Sequence, residues 1–312
     1  MSDRVSVTIG IPFLNARRSL ATAVRSVFAQ THHDWELLLV DDGSSDGSID
    51  VVRSLDDPRV RLFRDGSHRG LCARLNQIVA MARGTYLARM DADDVMHPER
   101  IDRQLALLEA DPCLDLVDTA TFTVDDDLTP VGVRGDRPLD CRPEAVLREG
   151  LLIHPTVTGR AEWFRRNPYD PAFVRAEDRE LWIRTCARTR FARLCEPLFF
   201  YREGPAGNLR NYLRTERTLR AILRRYGPPL VGTRRTRLLL VRSRLKSMAY
   251  RVGTGFGLQG RLISRRNRRL EPAELRAASR ILAAIQGTPV PGLEEGVPGP
   301  AAGRALPGVV AA

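Results

Sequence analysis

The sequence predicts an α/β fold in which a doubly wound, mostly parallel sheet is flanked by helices. Apolar runs that suit strands alternate with helical patterns through the first hundred residues. The run WELLLV, residues 35–40, is almost continuously apolar, as in a parallel strand that is buried on both faces. Acidic residues directly follow two of the apolar runs, where a sheet of this kind is expected to bind ligands.

The predicted elements follow one another in strict order. Strands are predicted over residues 5–12, 35–40, 59–64 and 85–90. Helices are predicted between them over residues 19–31, 49–55 and 70–84. Strands that alternate with helices are typical of a parallel sheet in which each helix makes a right-handed crossover. The four strands are therefore expected to run in one direction.

The acidic clusters are expected to meet at one edge of this sheet. Asp41 and Asp42 follow the second strand, and Asp91, Asp93 and Asp94 follow the fourth. Crowded carboxylates repel one another, and a hard divalent cation such as Mg²⁺ or Mn²⁺ would compensate their charge and bind phosphate oxygens. The alternative is that one cluster is a turn with a helix N-cap and the other a polar loop.

Composition restricts the class of protein. The five cysteines are scattered and lack metal-ligand spacing, so we expect them to be reduced packing residues. No apolar run reaches eighteen residues and the N-terminus lacks a signal-peptide pattern, which predicts a cytoplasmic protein. The net charge of +11 arises in residues 204–286, which hold 20 basic and 3 acidic residues, whereas residues 1–203 hold 28 and 33.

Six segments, in order and at the expected spacing, resemble the family-two glycosyltransferases with the GT-A fold. The segments begin with VSVTIGIPFLN and SVFAQTHHDWELLLVDDGSSDGS, continue with GLCARLNQIVAMARGTYLARMDADDVMHPERIDRQ, and end with IHPTVTGR, YDPAFVRAEDRELWIR and LFFYR. They cover about residues 5–202. The resemblance implies a metal-dependent, inverting transfer of a sugar from a nucleotide-diphosphate donor.

The resemblance also implies roles for residues on the donor side. Pro12 and Asn15 would lie in the loop that wraps the nucleotide base, and Asp41 or Asp42 would accept hydrogen bonds from the base or ribose. The implied metal motif is Asp91, Ala92 and Asp93, with Asp91 near the ribose and Asp93 on the cation; Asp94 would cap the following segment.

On the acceptor side, Asp178 is implied as the general base and Glu177 as its positioning partner. His154 would line the acceptor or diphosphate side, and Arg202 would help to hold the diphosphate. From the residues alone, Glu177 and Asp178 better suit an acidic first turn of a helix, and His154 better suits a packed loop residue.

Three domains are predicted: a catalytic domain over residues 1–203, a basic helical extension over 204–286 and a disordered tail over 287–312. Within the extension, five apolar residues recur at intervals of three and four among arginines, and they are Leu238, Val241, Leu245, Met248 and Val252. This pattern predicts either a helix on an anionic membrane surface or a helix that docks on the catalytic domain.

The predicted function is therefore transfer of a sugar, most simply from a UDP-sugar, to a saccharide or lipid-linked acceptor in cell-envelope polysaccharide biosynthesis. A nucleotidyltransferase would also use a metal on this sheet, but IGIPFLNARRS lacks the glycine-rich phosphate loop. A nucleic-acid-binding protein would interleave aromatic residues with its arginines, and residues 204–286 hold few, so no nucleic-acid partner is expected.

Overall fold

The computed structural model describes residues 5–203, 209–255 and 267–293. Four parallel strands form its first part, and they are β1 (Val7–Phe13), β2 (Trp35–Asp41), β3 (Val60–Phe63) and β4 (Tyr86–Arg89). The crossover helices are α1 (Leu20–Phe28), α2 (Ser48–Arg53) and α3 (Leu71–Met81). The strands lie in the order β3-β2-β1-β4, so the chain winds outward from β1 in both directions and the predicted sheet is confirmed.

The sheet continues beyond β4 with mixed strand directions. Its further strands are β5 (Val95–Met96), β6 (Leu116–Val124), β7 (Pro130–Arg134), β8 (Thr158–Arg160) and β9 (Phe191–Arg202). The helices between them are α4 (Arg100–Ala110), α5 (Pro143–Glu149), α6 (Ala161–Arg166) and α7 (Glu177–Thr185), with a 3-10 turn over His154–Thr156. The order from β4 onward is β8-β6-β9-β5, with β7 on β6. Because β8 runs antiparallel to β4, its first residue lies beside the end of β4. The 3-10 turn that precedes β8 therefore lies at the carboxyl edge of the sheet.

Apolar side chains of the sheet pack into separate clusters on its two faces. Leu37 and Leu39 of β2 pack with α1 and α4, whereas Leu38 and Val40 pack with α3, α6 and α7. Successive side chains of a strand point to opposite faces, so a strand between two helical layers must be apolar at every position. The continuous apolar run that predicted β2 has this cause.

The basic extension contains a long helix, α8 (Leu209–Gly255), and a shorter one, α9 (Pro272–Gln286). α8 is kinked at Gly232, which has φ 80° and ψ 160°. Before the kink, apolar residues of α8 such as Ile222 and Leu223 are buried in the cluster that contains Trp182 of α7. The first half of α8 is therefore part of the folded body, and the predicted helices in this region are present.

Residues at the start of the predicted tail also belong to this body. Val290 and Leu293 are buried in the cluster around α1 and β2. Gly292 has φ +79°, and a Cβ at this position would lie 1.7 Å from the carbonyl oxygen of Ser54, so the close approach requires glycine. Residues 294–312, which make up the rest of the predicted tail, lie outside the described residues. Every helix within the described ranges is too short or too polar to cross a bilayer.

Candidate active site

Asp42 is fully engaged by the protein itself. Its Oδ1 accepts hydrogen bonds from the backbone amides of Arg69 (2.7 Å) and Gly70 (3.1 Å), and from Nε of Arg74 (2.9 Å). Its Oδ2 lies 2.9 Å from Nδ1 of His68. Arg74 is completely buried, so Asp42 serves as the counter-ion of a buried cation. Asp42 thus fixes the loop before α3 and has little capacity left for a ligand.

Asp41 differs from its neighbour because one of its oxygens has no hydrogen-bond donor. Oδ1 accepts a hydrogen bond from the backbone amide of Ser44 at 2.9 Å, which shapes the turn after β2. Oδ2 is buried and has no hydrogen-bond partner among the described residues, and the nearest cation, Nε of Arg64, lies 3.6 Å away. A buried acceptor of this kind costs free energy unless a ligand donates to it. Of the two residues, Asp41 is better suited to contact a donor.

The loop after β1 is held against the loop after β2 by Asn15. This residue has a left-handed backbone with φ 52°. Its backbone amide donates to Oγ of Ser44 at 3.0 Å, and its side-chain Oδ1 accepts a hydrogen bond from the backbone amide of Ser45 at 2.8 Å. Asn15 therefore positions the two loops relative to each other.

Pro12 lies inside β1, opposite Val40, and not in the following loop as predicted. The ladder between β1 and β4 ends at Gly10, and the carbonyl of Gly10 accepts from the amide of Met90. Backbone groups of residues two apart in a strand face the same neighbouring strand. The nitrogen of Pro12 therefore faces the same side as the carbonyl of Gly10, toward β4, but beyond the point where the hydrogen bonds between β1 and β4 end. A proline fits there because no ladder hydrogen bond is lost.

The loop after β4 brings three carboxylates together. One oxygen each from Asp91, Asp93 and Asp94 lies within 4.8 Å of the other two. Asp93 is exposed and Asp91 half-buried, whereas the side chain of Ala92 packs into the core. The pKa of Asp93 is raised by desolvation and by the charge of Asp91.

Asp94 is buried and does not cap a helix, which corrects the predicted role. The residues that follow it form β5, and α4 begins only at Arg100. Its Oδ1 accepts a hydrogen bond from the amide of Arg202 at 2.8 Å, while Oδ2 has no partner among the described residues. Burial and the charges of Asp91 and Asp93 raise the pKa of Asp94 well above its usual value. Its carboxyl group thus joins the acidic cluster to β9.

A buried arginine that the sequence did not single out partly balances this cluster. Arg89, the last residue of β4, contacts both carboxylate oxygens of Asp91, through Nη2 at 2.6 Å and Nη1 at 3.2 Å. Its Nε has no hydrogen-bond partner among the described residues. Of the three carboxylates only Asp91 forms an ion pair within the described residues, so the loop stays acidic.

Glu177 and Asp178 occupy the first turn of α7. Burial raises the pKa of Glu177, and the charge of Asp178 raises it further. Burial also raises the pKa of Asp178, although the amide and charge of Arg179 and the charge of Arg89 act in the opposite direction. The residue two positions before α7, Arg175, has a left-handed backbone with φ 69°, so the approach to this turn is strained.

His154 lies in the 3-10 turn before β8 and is buried beside α7. Its Nε2 lies 2.9 Å from the hydroxyl of Tyr169, and its ring packs edge-on to that of Trp182 at 6.0 Å. Burial and the charge of Arg89 lower its pKa well below the usual value, so the ring is neutral at pH 7. Tyr169 is a second residue that the sequence did not indicate.

Arg202, at the end of β9, contacts the backbone of the loop after β4. Its Nε donates to the carbonyl of Asp93 at 3.0 Å, and its Nη1 donates to the carbonyl of Asp126. The side chain thereby ties the end of β9 to two loops. These contacts use Nε and Nη1, and the contact of Arg202 with a diphosphate stays a prediction.

The acidic residues of the two halves face one cleft of about 500 Å³. Asp91, His154, Glu177 and Asp178 line it, together with Arg69, Arg89, Cys72, Arg175, Tyr201 and, from α8, Thr215. The volume suits a small polar ligand. Asp41 and Asp93 are outside this lining, but the amides of Arg69 and Gly70 connect the cleft to Asp42.

The sequence matches the family model for glycosyl transferase family 2 over residues 8–171. Among curated proteins, it is 33% identical over 189 residues to EpsE of Bacillus subtilis, a candidate glycosyltransferase, and 30% identical over 106 residues to the UDP-Glc:α-D-GlcNAc-diphosphoundecaprenol β-1,3-glucosyltransferase WfgD of Escherichia coli. The alignments cover 58% and 34% of this chain and 66% and 42% of these relatives. The matched part is thus less than two thirds of either relative.

Two solved structures share the fold at low identity. TarS of Staphylococcus aureus, residues 1–349 with UDP-GlcNAc, has a TM-score of 0.58 at 13% identity, with 94% of this chain and 82% of that one covered. The mannosyltransferase PcManGT of Pyrobaculum calidifontis, with GDP-Man and Mn²⁺, has a TM-score of 0.56 at 17% identity, with 91% and 86% covered. These likenesses confirm the GT-A type of fold. By the family model, which spans more than half of its length, the chain belongs to glycosyl transferase family 2.

Proposed function

We propose that the chain is a metal-dependent, inverting glycosyltransferase that acts in cell-envelope polysaccharide biosynthesis. The donor would be a nucleotide-diphosphate sugar, most simply a UDP-sugar, and the acceptor a saccharide or a lipid-linked saccharide. The observation that carries this proposal is the single cleft in which Asp91 of the acidic loop lies with Asp178 of α7. The two groups come from sequence positions far apart and correspond to the two ends of a glycosyl transfer.

The donor nucleoside is proposed to bind at the ends of β1 and β2. Asp41 offers a buried oxygen that lacks a donor, and a base N–H or ribose hydroxyl would satisfy it. Asn15 supports this contact by fixing the loops on either side. The solved relatives in complex with UDP-GlcNAc and with GDP-Man support a nucleotide-diphosphate sugar as the class of donor.

The acidic loop fits a divalent cation. All three ligand groups are carboxylates, which suits Mg²⁺ or Mn²⁺, and the unpartnered Oδ2 of Asp94 marks an acceptor that the protein leaves unsatisfied. Asp93 and Asp91 are proposed as ligands, with Asp94 beside them. When bound, the cation would supply positive charge to the departing diphosphate.

Asp178 is proposed as the general base. It would take the proton from the acceptor hydroxyl while that oxygen forms a bond to the anomeric carbon and the bond to the nucleotide diphosphate breaks. Displacement on the side opposite the leaving group inverts the configuration. Because burial raises the pKa of Asp178, its carboxylate is a stronger base than that of a solvated aspartate. Glu177 would position it, and neutral His154 would line the acceptor side.

Names of relatives support a membrane-linked acceptor. WfgD is described as acting on a diphosphoundecaprenol-linked sugar, and TuaG of Bacillus subtilis as a candidate enzyme of teichuronic acid biosynthesis. An acceptor of this class would place the enzyme at the cytoplasmic face of the plasma membrane as a peripheral protein. Neither a nucleotidyltransferase nor a nucleic-acid-binding protein is favoured by a feature of the described residues.

A panel of nucleotide sugars tests the proposal. Purified protein is incubated with each UDP- and GDP-sugar, with Mn²⁺ or with EDTA, and thermal shift and donor hydrolysis are measured. We expect one group of donors that share a nucleotide to stabilise the protein and to be hydrolysed slowly, in both cases only with the metal. Absence of stabilisation by every donor, or an anomeric configuration of the product that equals that of the donor, would contradict the proposal.

A further inference from the structure

The second half of α8, residues 233–253, presents an apolar stripe that no other described residue covers. The stripe consists of Leu238, Val241, Leu245, Met248 and Val252, and each of these side chains is between 53% and 73% exposed. Large apolar side chains at five successive turns form a contiguous apolar surface, which a soluble protein rarely leaves in contact with water. The sequence left open whether this stripe docks on the catalytic domain, and its exposure rules that out for the described residues.

The opposite side of the same helix packs against the described part of the protein. Ser243 and Ser247 are buried and bond to Nη1 of Arg220 at 3.2 and 3.0 Å, and Ser243 also donates to Glu216 at 2.7 Å. Tyr250 stacks on Tyr212 of the first half of α8. Leu239 and Leu240, also away from the stripe, pack against the core cluster that contains Trp182. The helix is thus held by the side opposite the stripe, and the stripe faces outward because of that attachment.

Basic residues border the apolar stripe on both sides. At about 100° per residue, Arg237, Arg244 and Arg251 project on one flank of the stripe, and Arg242 and Lys246 project on the other. Within the described residues, no carboxylate pairs with Arg237, Arg242 or Arg244. A helix with an apolar face between two basic flanks has the pattern of one that lies in the plane of a membrane interface.

We propose that the 233–253 helix is a docking surface for an anionic phospholipid bilayer. The apolar stripe would enter the boundary between headgroups and acyl chains, and the flanking arginines would contact lipid phosphates. A second copy of this chain is a poorer occupant, because a symmetric pairing of the stripes would bring the arginine flanks of two protomers together. The proposal agrees with the proposed function in placing the enzyme at a membrane but does not depend on which sugar is transferred.

Vesicle co-sedimentation of the full chain tests the proposal. The vesicles contain either phosphatidylcholine alone or phosphatidylcholine with about one quarter phosphatidylglycerol, an anionic lipid. We expect binding to the anionic vesicles that weakens as salt is raised, and little binding to the neutral ones. At about fivefold per arginine, Arg237→Gln, Arg242→Gln and Arg244→Gln together should lower the affinity on the order of 100-fold. Leu245→Ser with Met248→Ser should also abolish sedimentation.

Matched controls separate the helix from general charge and stickiness. Arg53→Gln removes an exposed arginine from α2, and Val131→Ser removes an exposed apolar residue from β7; neither should change sedimentation. Nucleotide binding and the unfolding temperature in solution should be unchanged in all variants, so a failure of vesicle binding is distinguishable from a failure of the enzyme. Equal binding of wild type and the helix variants would overturn the proposal. So would a wild-type protein that does not bind anionic vesicles and forms a dimer that Leu245→Ser with Met248→Ser converts to a monomer.

Discussion

Two acidic clusters lie at the carboxyl edge of the sheet, and their carboxylates differ in how far the protein itself satisfies them. Asp42 accepts from two amides and from Arg74, so its charge is balanced by the fold. Of Asp91, Asp93 and Asp94, only Asp91 forms an ion pair among the described residues, and desolvation together with the neighbouring carboxylates raises the pKa values of Asp93 and Asp94. A carboxylate that the fold has already satisfied stabilises structure, and one that it has left unsatisfied is available for a ligand.

Carboxylates within one cluster also differ in whether the protein satisfies them. Asp41 keeps a buried oxygen without a donor, although it stands next to Asp42. Glu177 and Asp178 resemble the loop after β4, because burial raises the pKa of both. Substitutions should therefore divide into those that reduce activity and those that reduce stability.

Asp178→Asn is expected to have the largest effect. The amide keeps the shape of the side chain but cannot accept the proton, and general-base catalysis contributes about 10² to 10⁴ in rate. We expect kcat to fall by that factor while the donor dissociation constant changes little, as measured by steady-state kinetics and calorimetry. Near-normal turnover would show that another group is the base.

Asp42→Ala should act on stability and not on chemistry. It leaves Arg74 buried with only part of its charge balanced, and breaking a buried ion pair costs about 3–5 kcal/mol. Denaturant unfolding measures the loss. Asp140→Ala is the control, because Asp140 and its partner Arg142 are both exposed and such pairs contribute little to the free energy of unfolding. Equal losses in the two variants would refute the view that Asp42 is a structural counter-ion.

Asp93→Ala should give the converse result. The side chain is exposed, and its loss relieves repulsion in the acidic loop, so the unfolding temperature without metal should stay the same or rise. Mn²⁺-dependent nucleotide affinity should fall by more than the roughly 10- to 100-fold that loss of a residue supporting a metal ligand costs. Asp127→Ala, in the exposed turn before β7, is a matched control. Titration calorimetry with and without Mn²⁺ distinguishes the two, and unchanged metal dependence in Asp93→Ala would remove this residue from the proposed ligands.

Asp41→Asn tests the unsatisfied oxygen. The substitution places an N–H donor where a base or ribose donor is proposed to bind, and a lost hydrogen bond to a charged group costs about 1.5–3 kcal/mol. We expect the donor KM to rise about tenfold or more with kcat nearly unchanged. The free energy of unfolding should not show the loss expected for Asp42→Ala. A stability loss comparable to that of Asp42→Ala would mean that Asp41, too, is structural.

The sequence predicted the parallel half of the fold and the position of Asp91 because their signals are local, whereas His154, Glu177 and Asp178 of the cleft were indicated by the family resemblance. Apolar runs, crossover helices and acidic residues directly after strands can be identified within a few residues of one another. The roles of Asp42 and Arg202 could not be predicted, since their partners lie 32 and 109 residues away. Helical spacing revealed the stripe on α8, but only the contacts of Ser243 and Ser247 show that it faces away from the protein.

Glu177→Gln should have the smallest effect and separates the two acids of α7. If Glu177 only positions its neighbour, kcat should fall less than tenfold, because the amide retains the size of the side chain.

The rate should decline as pH falls through the pKa of Asp178, since the protonated carboxyl cannot accept a proton. Burial raises that pKa above its ordinary value of 3.8, so the decline should begin at a higher pH than for a solvated aspartate. Glu177→Gln should keep this acid limb and Asp178→Asn should lose it, as measured by kcat between mildly acidic and neutral pH. If Glu177→Gln instead abolished the limb, Glu177 would be the base and the assignments of the two residues would be exchanged.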